Sequence, residues 1–162
     1  MKQSVALTVD VQAPCKDPDV PSVSEVREWI SRTIGAAGTS WLGGVEVSVR
    51  LVDTGEMRAL NRDYREQDKT TNVLSFPAGE IAGLPDDAPR ALGDIVICAA
   101  VISDEAAEQG KELSAHWAHM LVHGTLHLLG YDHETDAEAA AMEGLETRIL
   151  CQHGCPDPYL KS

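Results

Sequence analysis

The run His116–His133, HWAHMLVHGTLHLLGYDH, holds five of the chain's six histidines and decides how the rest is read. Val122, Leu126 and Leu129 recur at helical spacing within an apolar run, which predicts one buried helix from Leu113 to Leu129. On such a helix His123 and His127 stand one turn apart on the same face, where two imidazoles can share a tetrahedral zinc ion at roughly 2 Å each. His119 invites a longer ladder, but about 12 Å of helix rise separates it from His127, too far for one ion. The third ligand must come from beyond the helix. Gly130 suits the left-handed residue that closes a helix, and the Tyr131-Asp132 turn after it can swing His133 back toward the pair. The expected ligands are therefore His123, His127 and His133. Three neutral histidines leave the fourth position to water, as in open catalytic sites. A histidine pair on an apolar helix also suits plain core packing; the turn and the third histidine tip the balance toward metal.

An absence narrows the chemistry. Zinc proteases with paired helical histidines place a Glu directly after the first of them as general base, and Gly124 stands there in this chain. Peptide hydrolysis therefore lacks its base.

The segment HGTLHLLGYDH resembles the signature of the YbeY family, bacterial single-domain metal-dependent endoribonucleases implicated in ribosomal RNA maturation. The similarity continues upstream through LNRDYR (Leu60–Arg65), TNVLSFP (Thr71–Pro77) and LGDIVIC (Leu92–Cys98), and downstream to PDPY near the end, so it covers most of the chain. One departure is Thr70, where the family usually has proline before its TNVLSFP-like segment; the change bears on the rigidity of that loop. The resemblance implies an α/β fold, RNA as substrate, and a catalytic or RNA-binding role for Arg65, which aligns with the family's arginine after LN and Tyr. It also implies ribosomal proteins and ribosome-associated GTPases as partners.

Composition sets the outer bounds. A chain of 162 residues and 17.4 kDa with 43% hydrophobic content suits one domain over residues 1–162. Cys15, Cys98, Cys151 and Cys155 are too few and too scattered for a disulfide scaffold, which points to a reducing cytoplasm. Cys151, His153 and Cys155 lack a fourth neighbour for a closed metal site and read as incidental packing. The N-terminal MKQSVALTVDVQ alternates and is broken by Asp10, so it has no signal-peptide core, and the apolar run Ile95–Ile102 is too short to span a bilayer. A net charge of −13, from 13 basic and 26 acidic residues, argues against broad attraction to nucleic acid, so the basic groups present must be well placed. No membrane and no DNA partner is expected. Six acids and no Lys or Arg lie between Asp132 and Glu146, a pattern that reads as a solvated helix face.

In chain order, Val5, Leu7, Val9 and Val11 alternate as a strand, and Ser22 with Glu25 forms a capping box before a first helix that closes near Gly35–Gly38. Val45, Val47, Val49 and Leu51 give a second strand, followed by a helix from about Gly55 to Tyr64. On that helix Met57, Leu60 and Tyr64 share one face and Arg58, Arg62 and Arg65 another. This is the one basic stripe, and pairing with Glu56, Asp63 and Glu66 accounts for Arg58 and Arg62. Val73, Leu74 and Phe76 form a third strand, a loop runs to Pro89, and Ile95–Ile97 is a fourth strand whose continuous apolar run suits a central position. A helix from Ala99 to Gln109 stops at Gly110, and after the histidine helix Thr135 and Glu138 cap a last one carrying Met142, Leu145 and Ile149. The order β-α-β-α-β-β-α-α-α predicts an α/β domain with about four strands in a mixed sheet and about five helices.

Three functions fit these residues. The leading one is a single-strand-specific, zinc-dependent endoribonuclease with one ion on His123, His127 and His133. By the resemblance it would work in 3′-end maturation of small-subunit ribosomal RNA and in ribosome quality control, with Arg65 stabilising charge at the phosphate. Asp132 and Glu134 flank the last ligand and either orient a histidine or serve as ordinary turn acids. The second is a non-catalytic, zinc-stabilised assembly factor on the ribosomal small subunit, and the third is the metalloprotease that lacks its base.

Overall fold

In the computed structural model, residues 7–38, 43–79, 83, 85 and 88–159 are described. The chain runs β1 (Leu7–Gln12), α1 (Val23–Ala36), β2 (Val45–Val52), α2 (Thr54–Arg65), β3 (Val73–Pro77), β4 (Arg90–Cys98), α3 (Ala99–Gln109), α4 (Leu113–Leu128) and α5 (Asp136–Gln152), the order predicted from sequence. Val5 and much of the loop before Pro89 lie outside the described residues.

Val45, Val47, Val49 and Leu51 turn one face of β2 into the core while Glu46, Ser48 and Arg50 turn away, the period-two pattern that makes the segment a strand. β1 and β4 flank β2 in parallel, and β3 joins β4 antiparallel, giving a mixed four-stranded sheet in the order β1-β2-β4-β3. Insertion of β4 between β2 and β3 makes β3 an edge strand. The pairing of β2 with β4 shifts between Glu46 and Val47, skipping Leu92 at a bulge. Gly93 beside it has φ +141°, and a Cβ there would stand 2.2 Å from the Phe76 carbonyl oxygen, so only glycine fits.

Helices cover both sheet faces. Ile30 and Ile34 of α1 pack with Val47, Ile95 and Ile97 on one side, and Met57 of α2 packs with Val96 and Leu74 on the other. α1 opens with the reciprocal capping box of Ser22 and Glu25, and α2 opens on Asp53, whose carboxylate accepts the Glu56 N–H at 2.9 Å. At α5 the Thr135 hydroxyl accepts the Glu138 N–H at 3.1 Å.

α4 is buried over nearly its whole length because three of its faces have separate partners. Trp117, Met120, Leu121 and Leu128 face the sheet side, whereas Ala118, Val122 and Leu126 meet Met142, Ile149 and Leu150 of α5. His116, His119, His123 and His127 make the third face at spacings of three and four residues. No helix among the described residues is long and apolar enough to cross a membrane.

Candidate metal centre

α4 ends in a turn that delivers His133. Gly130 takes φ +99°, its N–H donates to the His127 carbonyl at 3.1 Å, and the Tyr131 N–H donates to the Leu126 carbonyl at 3.0 Å. This pair of bonds is the Schellman closure, sealed by Tyr131 packing in the Leu126 cluster. The Asp132 carboxylate accepts the backbone N–H of His133 at 2.8 Å and so holds the turn that carries this histidine. Glu134 is exposed.

The turn brings His133 over the helical pair. Ring centroids of His123 and His127 are 4.6 Å apart, those of His127 and His133 5.1 Å, and one ring nitrogen from each of the three lies within 4.8 Å of the others. The Nε2 atoms of His123 and His127 are 3.1 Å apart. Two nitrogens bound at about 2.0–2.1 Å to a tetrahedral ion would be separated by roughly 3.3 Å, so this donor set can hold a metal with little rearrangement. Burial, then the neighbouring His123 and His133, push the pKa of His127 below its ordinary value, which keeps its lone pair available.

Beneath the histidines lies Glu146 of α5, with 0% of its surface exposed. One carboxylate oxygen accepts from Nδ1 of His123 at 2.7 Å, and the other accepts the Tyr159 hydroxyl. Nε2 of His119 is 3.2 Å from that hydroxyl and 3.6 Å from the carboxylate. Burial works to raise the pKa of Glu146, but the hydrogen bonds it accepts from His123 and the Tyr159 hydroxyl, with His119 close by, outweigh it and hold the group at about 2. An ionised carboxylate only accepts, so Nδ1 of His123 carries the proton and Nε2 faces the other ligands with a lone pair. His119 belongs to this supporting layer, as its distance from His127 along the helix requires. The expectation of a solvated acidic face holds for Glu134, Asp136, Glu138 and Glu143, which are exposed, and is corrected at Glu146, the buried keystone of the site.

The three histidines open into a cavity of about 390 Å³ whose far wall is β3, through Val73, Ser75 and Pro77. Arg65 lines the same cavity and is the one Lys or Arg among its described lining residues. It is the last residue of α2, which stops there because Glu66 adopts the left-handed conformation at φ +58°. Asn61, buried on the same helix, donates from its side chain to the Lys69 carbonyl at 2.8 Å and ties down the following loop. The rest of the basic stripe is paired: Arg58 forks onto Asp68 at 2.8 and 3.2 Å, and Arg62 meets Asp63 at 3.3 Å. Arg58 thus pairs beyond its own helix, while Glu56 pairs with Arg50.

Gly124 packs against the sheet, where β3 and β4 meet α4. A Cβ there would lie 2.9 Å from Ile95 Cγ2, and the Ser75 hydroxyl donates to the Gly124 carbonyl at 3.0 Å. With glycine here and no room for a longer side chain, this position supplies no general base of the kind the zinc proteases use.

The family model for endoribonuclease YbeY matches residues 12–154. The chain belongs to the endoribonuclease YbeY family. A YbeY endoribonuclease of Halorhodospira halophila is 56% identical over 139 residues, 86% of this chain and 88% of the relative. One from Alcanivorax borkumensis is 52% identical over 155 residues, 94% of this chain and 86% of the relative. A Thermotoga maritima protein solved in solution shares the fold, with a TM-score of 0.56, 22% identity, and coverage of 94% of this chain and 99% of that one.

Within this YbeY-family chain, sequence reasoning missed Glu146 and Tyr159. Glu146 carried a signal, since it lies four residues after Met142 and three before Ile149, on the apolar face of α5. Tyr159 follows the last helix in an irregular segment and had no periodicity to announce it.

Proposed function

We propose that this protein is a zinc-dependent, single-strand-specific endoribonuclease that processes the 3′ end of small-subunit ribosomal RNA and takes part in ribosome quality control. It would act in the cytoplasm on the ribosomal small subunit, with ribosomal proteins and ribosome-associated GTPases as partners. The observation that carries the reading is the three-histidine cluster opening into a cavity that Arg65 also lines. His123, His127 and His133 would hold the ion, and Glu146 would fix the ring of His123. Zinc bound there would supply Lewis-acid activation of water and of a phosphoryl oxygen. Arg65, which lines the same cavity, would pair with the phosphate and stabilise charge as it develops, while the walls of β3 and the Tyr131-Asp132 turn would confine the strand.

The test separates ligands from the phosphate-binding group. Alanine at His123, His127 or His133 should each strip most zinc from the purified protein, whereas His119→Ala should retain it. Arg65→Ala should keep zinc content and melting temperature but lose about 100-fold in cleavage of single-stranded RNA. Zinc loss in His119→Ala with retention in His133→Ala would overturn the ligand assignment, and equal losses of stability and activity in Arg65→Ala would make that residue structural.

A further inference from the structure

A second cavity, of about 540 Å³, lies across the edge strand from the histidine site. Side chains of β3 alternate between the two: Ser75 and Pro77 line the histidine cavity, and Phe76 lines the second. α2 repeats the division at its end, where Tyr64 lines the second cavity and Arg65 the first. One strand's thickness therefore separates the two, and consecutive residues serve both.

The second cavity has two unlike walls. Leu60, Tyr64 and Phe76 make the apolar one. Tyr64 is 68% exposed although it continues the apolar face of α2, and its ring meets Phe76 edge-on with centroids 5.2 Å apart. The opposite wall is polar, but its cation is already engaged. Arg50 donates to Glu56 at 3.1 Å and to Gln12 at 2.6 Å. Among the described lining residues that leaves the exposed Asp94 as the charge with no ion pair. A phosphate would be repelled there. A planar group with a π face for Tyr64 and N–H donors on its edge for Asp94 has the complementary chemistry, and a nucleobase is such a group.

We propose that this groove is a base-binding subsite: with a phosphate held beside Arg65, the neighbouring nucleotide of the same single strand passes over the edge of β3, stacks its base on Tyr64 and presents an amino group to Asp94. The inference rests on the RNA-cleaving reading of the histidine site and adds the side on which the strand is read. Bases with an exocyclic amino donor, such as cytosine, are favoured over uracil, whose single N3–H donor lies between two carbonyl oxygens that the carboxylate repels.

Fluorescence anisotropy of the full chain with short oligocytidylate and oligouridylate, read before cleavage proceeds, tests this. Oligocytidylate should bind more tightly. Tyr64→Ala should weaken both about ten-fold or more, Tyr64→Phe should bind like the unchanged protein, and Asp94→Asn should erase the preference for cytidine. Unchanged RNA binding by Tyr64→Ala would overturn the subsite and leave the exposed ring to a protein partner. Cytidine preference persisting in Asp94→Asn, or no RNA binding by the unchanged protein, would overturn it too. Tyr64-dependent binding without cleavage by the unchanged protein would sustain the subsite and sink the nuclease reading.

Discussion

A carboxylate with no exposed surface is tolerated only when its oxygens are met by donors, and Glu146 meets that condition with His123 on one oxygen and the Tyr159 hydroxyl on the other. The arrangement transmits orientation from α5 to a ligand on α4. Glu146→Gln keeps the shape but turns one acceptor into a donor facing a donor. Its zinc affinity should fall about 10- to 100-fold in a chelator competition, and unchanged affinity would show that His123 needs no such support. His116 offers a separate test by pH. It is 3% exposed, with Nε2 2.9 Å from Glu105, while its Nδ1 is buried without a hydrogen-bond partner. Burial lowers its pKa, against a smaller upward pull from Glu105. The unfolded chain, with a histidine pKa near about 6.5, then takes up its proton at a higher pH than the folded protein does. Stability should be full above that value and decline as pH falls below it, levelling at the folded-state pKa. In urea denaturation compared at about pH 7.5 and pH 5.5, His116→Gln should lose less stability than the unchanged protein. An identical decline would place the proton uptake elsewhere.

At the scale of elements, α4 approaches the sheet so closely that the residue at its crossing has no room for a side chain. Gly124→Ala would gain up to about 1 kcal/mol in helix propensity. Its Cβ, however, would stand 2.9 Å from Ile95, a fully buried side chain with nowhere to move, and 3.4 Å from Ser75 and Val73. Overpacking of this kind costs about 1–3 kcal/mol, so the contact should win and the melting temperature should fall. Gly144→Ala on α5 is the contrast, since nothing lies within 4 Å of its added Cβ. Propensity alone should act there and raise the melting temperature by about 2–4 °C. Equal shifts from both substitutions would rule out close packing as the reason for Gly124. These elements were legible in the sequence because their signals are local: the box at Ser22 and Glu25, the alternation of Val45–Leu51, and the stop at Gly110. The central place of β4 was legible too, in its continuous apolar run, but which strands flank it was not, because strand pairing follows from long-range packing that no short window records. The same limit explains the site. The ligand triad sits within one helix and its turn, whereas its support comes from α5 and from Tyr159, distant in sequence.

For the whole molecule, a charge of −13 opposes an RNA substrate at long range. Within the basic stripe Arg58 and Arg62 are already paired with acids, which leaves Arg65 as the stripe's residue facing the histidine cavity. Encounter with naked RNA should therefore be slow at low salt, where the Debye length reaches about 30 Å at 0.01 M, and should ease as salt screens the repulsion to about 8 Å near 0.15 M. A protein that bound RNA chiefly through its phosphates would do the reverse and weaken steadily with salt. With little long-range attraction to draw RNA in, selection of one ribosomal RNA site has to come from local contacts or from a surface that already presents the strand. An immature small-subunit particle is such a surface. Cleavage of those particles should accordingly exceed cleavage of the same RNA stripped of protein, at matched RNA concentration and physiological salt, and the gap should narrow as salt rises. A rate on stripped RNA equal to or above the particle rate would remove the partner-guided account while leaving the chemistry of the histidine site untouched.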